Sequence, residues 1–263
     1  MIISIGAGRV TNEAVSPIEV SALIFLCIFA GALVGMFLRG VLPERHLNDE
    51  TKDLLKLGVG LVGTMAALLL GLLVASAKSS YDARRSELTQ MAANTILLDR
   101  MLAHYGPETG QLRTILKTTV ARTIDQIWPR NGEASGPSSQ SGGDVLFDKI
   151  QQLTPSSDPQ RALLSQVQSM AINLGQTRWL LFEQTGSSIS TPFLVVVVFW
   201  LSMLFVSFGL FAPRNATAVI ILLVSAISVA GALFLILELD HPFSGLIQIP
   251  SAPLRNALSV LGR

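Results

Sequence analysis

The stretch AVIILLVSAISVAGALFLIL, residues 218–237, contains no charged residue and is followed at once by ELDHPFSG, residues 238–245. An α-helix rises about 1.5 Å per residue, so a hydrocarbon core about 30 Å thick is crossed by roughly twenty apolar residues. This run therefore predicts a membrane-spanning helix. The number of similar runs in the chain then decides the fold.

Three further runs are long and apolar enough to span a membrane, and they cover residues 18–38, 57–77 and 192–211. The fourth extends over residues 216–237. Lipid offers no hydrogen-bonding partner to the backbone, so each span must be a helix. Composition agrees, because 50% of the 263 residues are hydrophobic, only 14% are charged, and the mean hydropathy is +0.53. The sequence predicts an all-α integral membrane protein with four transmembrane helices in two pairs.

The segment between the second and third spans, residues 78–190, is hydrophilic but patterned. Apolar or small residues recur every three or four positions after the second span, which predicts an amphipathic helix that continues this span; they are Leu88, Met91, Thr95, Leu98, Met101, Leu102 and Tyr105. Similar stripes follow in residues 107–129 and 158–183. Between them, residues 130–144 read as a Gly/Ser/Pro linker. We therefore divide the chain into residues 1–77, 78–190, 191–240 and a C-terminal segment, 241–263.

Four spans place the N-terminus, the middle segment and the C-terminus on one side of the membrane. Seven basic residues lie near membrane ends on that side and five on the other, so the positive-inside rule favours a cytoplasmic middle segment and cytoplasmic termini. The first set is Arg9, Lys78, Arg84, Arg85, Arg178, Arg255 and Arg263, and the second is Arg39, Arg45, Lys52, Lys56 and Arg214. The first span is too long for a signal peptide, and we expect a retained anchor.

The residues after the fourth span form the first candidate site. A carboxylate at a helix C-terminus is disfavoured by the helix dipole, so Glu238 and Asp240 need compensation. Three interpretations remain open: bulk water, the basic segment that contains Lys78, Arg84 and Arg85, or a bound ion. The candidate coupling or gating residues are Glu238, Asp240, His241, Pro242, Phe243, Lys78, Arg84 and Arg85.

Small residues within the first two spans form the second candidate set. Gly31 and Gly35 make a GxxxG pattern, which favours close helix packing in the first span. In the second span, small residues lie along the helix and either pack against a neighbour or line a pore; they are Gly60, Gly63, Ala67 and Gly71.

Other classes of function find no support in the residues. The chain has three histidines, no HExxH motif and no nucleophile elbow, so we expect no enzymatic activity, no catalytic residue, no metal site and no cofactor. Basic residues are not clustered with aromatic ones, which argues against nucleic-acid binding. The single cysteine, Cys27, lies inside the first span.

Three blocks carry a resemblance to a known family: LLVASAKSSYDARRSELTQMAANTILLDRMLAHYGPET, LFVSFGLFAPRNATAV and LILELDHPFSGLIQIPSAPLRNAL. They resemble the blocks of a bacterial membrane family described as bestrophin-like, whose function is unassigned. In addition, residues 240–243, Asp-His-Pro-Phe, are similar to the Glu-Asn-Pro-Phe that follows the last span of bestrophins. In animal bestrophins, an acidic run after this Pro-Phe helps to bind calcium. No such run follows Phe243, so calcium gating is not expected.

The resemblance implies a function that the residues alone do not. Bestrophins are pentameric ion channels with four spans per chain and a helical cytosolic region. By resemblance, we expect a homo-oligomer, a pentamer, that lies in the lipid bilayer of the inner membrane and passes inorganic ions. The alternative is a non-conducting membrane scaffold or sensor whose amphipathic helices bind a partner.

Overall fold

The computed structural model describes residues 16–41, 49–129, 142–183, 191–243 and 245–263, and within them it contains helices and no strand. The all-helical fold class is confirmed. The helices are α1 (Pro17–Val41), α2 (Asp49–Tyr105), α3 (Gly110–Ile127), α4 (Gly142–Gln151), α5 (Asp158–Glu183), α6 (Thr191–Phe211), α7 (Ala216–Asp240) and α8 (Ala252–Val260).

Four helices in the described part of the chain are long and apolar enough to cross a membrane: α1, the N-terminal portion of α2, α6 and α7. They contain the four predicted spans, because an apolar run of this length has no stable alternative to a helix in lipid. The four-span architecture is therefore confirmed. α2 continues through Tyr105 without a break, as the uninterrupted periodicity of its stripe predicts.

The described residues form two compact units, of which the first comprises those up to residue 73 together with Thr191–Leu237. In this unit α1 packs along α6 at very close range. A Cβ at Gly35 would collide with the carbonyl oxygen of Val206, and a Cβ at Gly209 would collide with that of Ala32. Glycine at both positions therefore allows the two backbones to touch.

The second unit comprises the described residues between 74 and 190 together with Glu238–Arg263. The stripe of α2 lies in its core, where Leu88, Leu98 and Leu102 have no exposed side-chain surface. α3 packs against α4 and α8, and α4 packs against α5. The C-terminal segment is thus part of the helical unit, and Leu254, Ala257 and Leu261 of this segment are buried in the same core.

The connections in the second unit follow local signals. Gly106 ends α2 with a φ of +147°, which only glycine adopts readily, and a short 3-10 turn, Pro107–Thr109, leads into α3. The linker was predicted over residues 130–144, but α4 begins at Gly142. The predicted C-terminal boundary of the linker is therefore wrong. Residues 130–141 lie outside the described residues. Only two buried side chains, Leu146 and Ile150, mark the short α4, which explains why periodicity did not reveal it.

Candidate functional site

The carboxylate of Glu238 lies in the interior of the helical unit, since only 1% of the residue is exposed. Its Oε2 accepts hydrogen bonds from the backbone N–H groups of Leu246, at 2.7 Å, and Ile247, at 3.2 Å. These two donors supply the compensation that a carboxylate near a helix C-terminus requires. The interpretation that bulk water solvates the end of the fourth span is therefore wrong.

A turn after α7 brings those two N–H groups to Glu238. Pro242 cannot continue the helix, and its carbonyl accepts a hydrogen bond from the N–H of Ile249 at 2.8 Å. Gly245 has a φ of +90°, and a Cβ at this position would lie 2.5 Å from Oε2 of Glu238. Glycine is needed here both for the backbone conformation and for the space. We call residues 238–243 and 245–249 the carboxylate turn.

Arg84 and Asp240 are also buried in this unit, at 7% and 2% exposure. Nη1 of Arg84 lies 3.4 Å from the backbone carbonyl oxygen of Asp240, to which it donates a long hydrogen bond. Both residues, and His241, make further contacts. The structure therefore brings one arginine of the basic segment of α2 to the end of α7.

Two other members of that basic segment lie elsewhere. Lys78 pairs with Asp82 one turn along α2, at 2.6 Å, and its ammonium group lies 5.5 Å from the ring centroid of Tyr81. Arg85 is exposed. Because successive residues on a helix point about 100° apart, Arg84 can face inward while Arg85 faces outward.

An aromatic contact holds the Pro-Phe part of the carboxylate turn. The rings of Trp128 and Phe243 meet edge to face, with centroids 5.8 Å apart, and the indole N–H of Trp128 donates to the carbonyl of Ile249 at 3.0 Å. Sequence reasoning did not assign Trp128 to this site. A tryptophan that packs against a core needs a partner for its N–H, which is the only signal the sequence offered, and Trp128 is half-buried.

The small residues of the second span have unequal surroundings. A Cβ at Gly63 would lie 3.8 Å from the side chain of Leu204, which is an ordinary packing distance. Gly60, Ala67 and Gly71 are exposed, and a Cβ on either glycine would meet no atom within 4 Å. With Thr64 they form one outward stripe, which we call the small-residue face of α2. A single chain leaves this face uncovered.

A buried ion pair also lies in the helical unit, away from the carboxylate turn. Arg113 donates two hydrogen bonds to Asp99, at 2.8 and 2.9 Å, and Gly262 N–H donates a third at 3.3 Å. Burial acts to raise the pKa of Asp99, but these hydrogen bonds and the positive charge of Arg113 outweigh it and lower the pKa below its ordinary value. The pair joins α2, α3 and the C-terminal segment.

Metal-ligand geometry is not found in the described ranges, where no group of three or more His, Cys, Asp or Glu side chains is placed to hold a metal ion. The buried carboxylates of Glu238 and Asp99 are compensated by backbone N–H groups and, for Asp99, by Arg113.

Four apolar helices, a long helix that leaves the second span, and a buried turn after the fourth define an all-helical membrane protein with a helical extramembrane unit. A family model of the bestrophin-like domain matches residues 26–254. The chain belongs to the bestrophin-like domain family, and the resemblance seen in the sequence blocks is confirmed.

Solved structures agree with this fold. A bacterial bestrophin homologue from Klebsiella pneumoniae matches with a TM-score of 0.66 at 12% identity, over 91% of this chain and 96% of the other. A variant of a bacterial bestrophin homologue from Klebsiella pneumoniae matches with a TM-score of 0.65 at 13% identity, over 92% and 99%. At this identity the likeness shows the fold alone. Among curated proteins, none matches the chain.

Proposed function

We propose that this chain is the subunit of an oligomeric ion channel, a pentamer by analogy with bestrophins, in the bacterial inner membrane. Membership of the bestrophin-like family supports the general kind of protein, because bestrophins are channels rather than enzymes. The fold shared with bacterial bestrophin homologues supports it as well. The termini and the helical unit then lie in the cytoplasm, in accord with the positive-inside rule.

The observation that carries this proposal is how little of the second span its own chain covers. In the most apolar window of α2 only 11% of the residues are buried, whereas the share is 28% in each of the other three spans. The uncovered surface includes the small-residue face. In a ring of subunits, residues without bulky side chains leave room for a water-filled path along the symmetry axis. We therefore place this face at the pore.

We further propose that the carboxylate turn couples the fourth span to the helical unit. Glu238 and Asp240 come directly after residue 237, where the first unit ends, and both are buried in the second. A buried carboxylate that accepts two backbone hydrogen bonds resists displacement, because leaving the carboxylate in the interior without those donors is costly. A movement of α7 is then transmitted to residues 246–249 instead of being absorbed by a loose connection.

A scaffold or sensor is the second candidate, and exposed apolar side chains in the helical unit favour it. Ile172, Trp179 and Leu180 of α5 are about half exposed, as a surface that binds a partner requires. The mass of the detergent-solubilised protein separates the two functions. A closed pentameric ring supports the channel, while a monomer or dimer supports the scaffold.

The experiment that tests conduction is ion flux through purified protein in liposomes, with salt gradients that separate anions from cations. Two neighbouring alanines give a matched pair, since Ala67 is exposed on the small-residue face and Ala66 is 1% exposed against its own chain. In a Cys27→Ser background, we expect a charged thiol reagent to reduce flux through Ala67→Cys and to leave Ala66→Cys unaffected.

One result would contradict the channel, and another would contradict the position of its pore. Liposomes that stay tight with the wild-type protein, under several salts, pH values and calcium concentrations, would favour the scaffold. Flux that is equally insensitive to the reagent in both cysteine variants would remove the small-residue face from the pore.

A further inference from the structure

Two arginines in the first unit hold each other's helix ends. Nη1 of Arg39, on α1, donates to the carbonyl oxygens of Phe211, at 3.1 Å, and Ala212. In return, Nη2 of Arg214, which follows α6, donates to the carbonyl oxygens of Met36, at 3.1 Å, and Phe37, at 3.4 Å. We call Arg39 and Arg214 the arginine pair.

The arginine pair carries more positive charge than the two helix C-termini offset. Each helix C-terminus is equivalent to roughly half a negative charge, so two of them offset about one of the two guanidinium charges. Among the side chains that the structure describes, no carboxylate forms an ion pair with either arginine. Both side chains are exposed and keep further N–H groups for an external anion.

The surroundings of the pair are those of a membrane interface. Phe37 and Val41, which flank Arg39 on α1, are 70% and 64% exposed, and Phe208 of α6 is 47% exposed. Exposed apolar side chains beside exposed arginines are typical of the boundary between acyl chains and headgroups.

An apolar groove begins close to the pair, between α2 and α6. Its volume is about 400 Å³, and its walls include Leu54, Gly58 and Val62 from α2 and Met203, Leu204 and Ser207 from α6. Ser207 is four residues before Phe211, whose carbonyl Arg39 binds, so the groove starts about 6 Å from the pair along the helix axis. Gly58 leaves one wall without a side chain.

We propose that the arginine pair and this groove together bind one anionic phospholipid. Its phosphate accepts hydrogen bonds from the outward N–H groups of the two guanidiniums, which match phosphate geometry. One acyl chain lies in the groove, where it covers the apolar walls. The site concerns lipid recognition in the leaflet where α1 and α6 end, and it does not depend on whether the protein conducts ions.

Native mass spectrometry tests this site on delipidated full-length protein in neutral detergent, titrated with phosphatidylglycerol or with phosphatidylcholine. We expect phosphatidylglycerol to be retained roughly tenfold more strongly, because both lipids offer a phosphate but the two guanidiniums repel the choline ammonium of phosphatidylcholine. The double variant Arg39→Gln/Arg214→Gln loses that preference. Arg85→Gln, which removes an exposed arginine from the other unit, keeps it.

Substitution in the groove tests the acyl chain without disturbing the arginines. A Cβ at Gly58 meets no atom within 4 Å, so Gly58→Leu folds and fills the groove. We expect this variant to retain less phosphatidylglycerol, and Gly231→Leu, an equally open position on α7, to retain as much as wild type. Because the double arginine variant also loses helix-end hydrogen bonds, Gly58→Leu decides the outcome if that variant does not fold.

Three results would overturn the proposal. Unchanged retention in the folded double arginine variant would exclude the phosphate contact. Competition by inorganic phosphate, with no effect of Gly58→Leu, would indicate a free-anion site instead of a lipid. A changed oligomer mass in Gly58→Leu with normal lipid retention would show that a second copy of the chain occupies the groove.

Discussion

At the scale of single residues, Glu238 shows how little a carboxylate's position in the sequence says about its environment. It follows a long apolar run, after which the chain is ordinarily expected to emerge into water. The residue is nevertheless almost completely buried. The backbone after α7 turns back and places two N–H groups on it. The buried charge is stable there because the turn supplies donors that water would otherwise provide.

The glycine of the carboxylate turn gives a direct test of this arrangement. We expect Gly245→Ala to destabilise the protein by about 1–3 kcal/mol, because alanine at a φ of +90° is strained and its Cβ would displace Glu238. If the turn couples α7 to the helical unit, ion flux in liposomes changes as well. Thermal unfolding in detergent and the flux assay measure the two effects.

Gly110→Ala is the matched control for this substitution. Gly110 has a helical φ of −54° and open space around the Cβ position, so alanine there should be neutral or slightly stabilising. Equal stability of the two alanine variants would contradict the geometry of the turn. A destabilised Gly245→Ala variant with normal flux would leave the turn a structural role only.

At the scale of elements, α1 and α6 are joined by glycines contributed from both helices. Gly31 and Gly35 were recognisable in the sequence as a GxxxG pattern, but their partner helix was not. The structure places Gly35 on Val206 and Gly209 on Ala32, so the first span packs on the third. Apolar side chains are as stable in lipid as in a helix interface, and close backbone contact therefore selects the partner.

Adding a methyl group at this contact should separate the helices. We expect Gly209→Ala to lower the free energy of unfolding by about 1–3 kcal/mol, because the new Cβ meets a backbone carbonyl that cannot rotate away. Gly231→Ala on α7, where a Cβ meets nothing within 4 Å, should not destabilise the protein. Thermal unfolding in detergent compares the two variants, and equal midpoints would show that α1 and α6 do not touch at Gly209.

At the scale of the whole molecule, contacts between distant parts of the sequence hold the helical unit together. Asp99 on α2 binds Arg113 on α3 and the backbone of Gly262, and Arg113 also donates to the carbonyl of Arg263 at 2.9 Å. Lys117 donates to the carbonyl of Leu261 at 3.2 Å. These bonds fasten the C-terminal segment to the bundle.

The pH dependence of stability should report the Asp99–Arg113 pair. Since folding lowers the pKa of Asp99 from its ordinary 3.8, the pair stabilises the protein fully above that value and loses its effect as the pH falls through the lower pKa of the folded state. We expect Asp99→Asn to cost roughly 3 kcal/mol at neutral pH, and the difference from wild type to shrink below about pH 4. Denaturant unfolding, monitored by tryptophan fluorescence at several pH values, measures this difference in the free energy of unfolding.

The exposed pair formed by Asp158 and Arg161 is the control for the buried one. Both side chains are largely in solvent, so Asp158→Asn should have a much smaller effect than Asp99→Asn, limited to the loss of a carboxylate in the first turn of α5. A difference between wild type and Asp99→Asn that stayed constant down to pH 3 would assign the loss to packing instead of charge.

Much of the fold could be predicted from the sequence because it depends on local composition. Each membrane span is a long apolar run, and each amphipathic helix places apolar residues every three or four positions, so that the stripes of α2, α3 and α5 face the core. α4 was missed because it is short and carries only two buried side chains. The sequence showed the residue types of the candidate site, but it did not show that these residues are buried.

The sequence by itself determined the four spans, the helical middle segment and the family, since these depend on hydropathy, period and local blocks. Only the tertiary structure decided that α1 packs on α6, that Glu238 is capped by the backbone of residues 246 and 247, and that Asp99 meets both Arg113 and Gly262. The physical reason is that helix formation is governed by neighbours in the chain, whereas the partner of a glycine or a buried charge is chosen among residues far away in sequence.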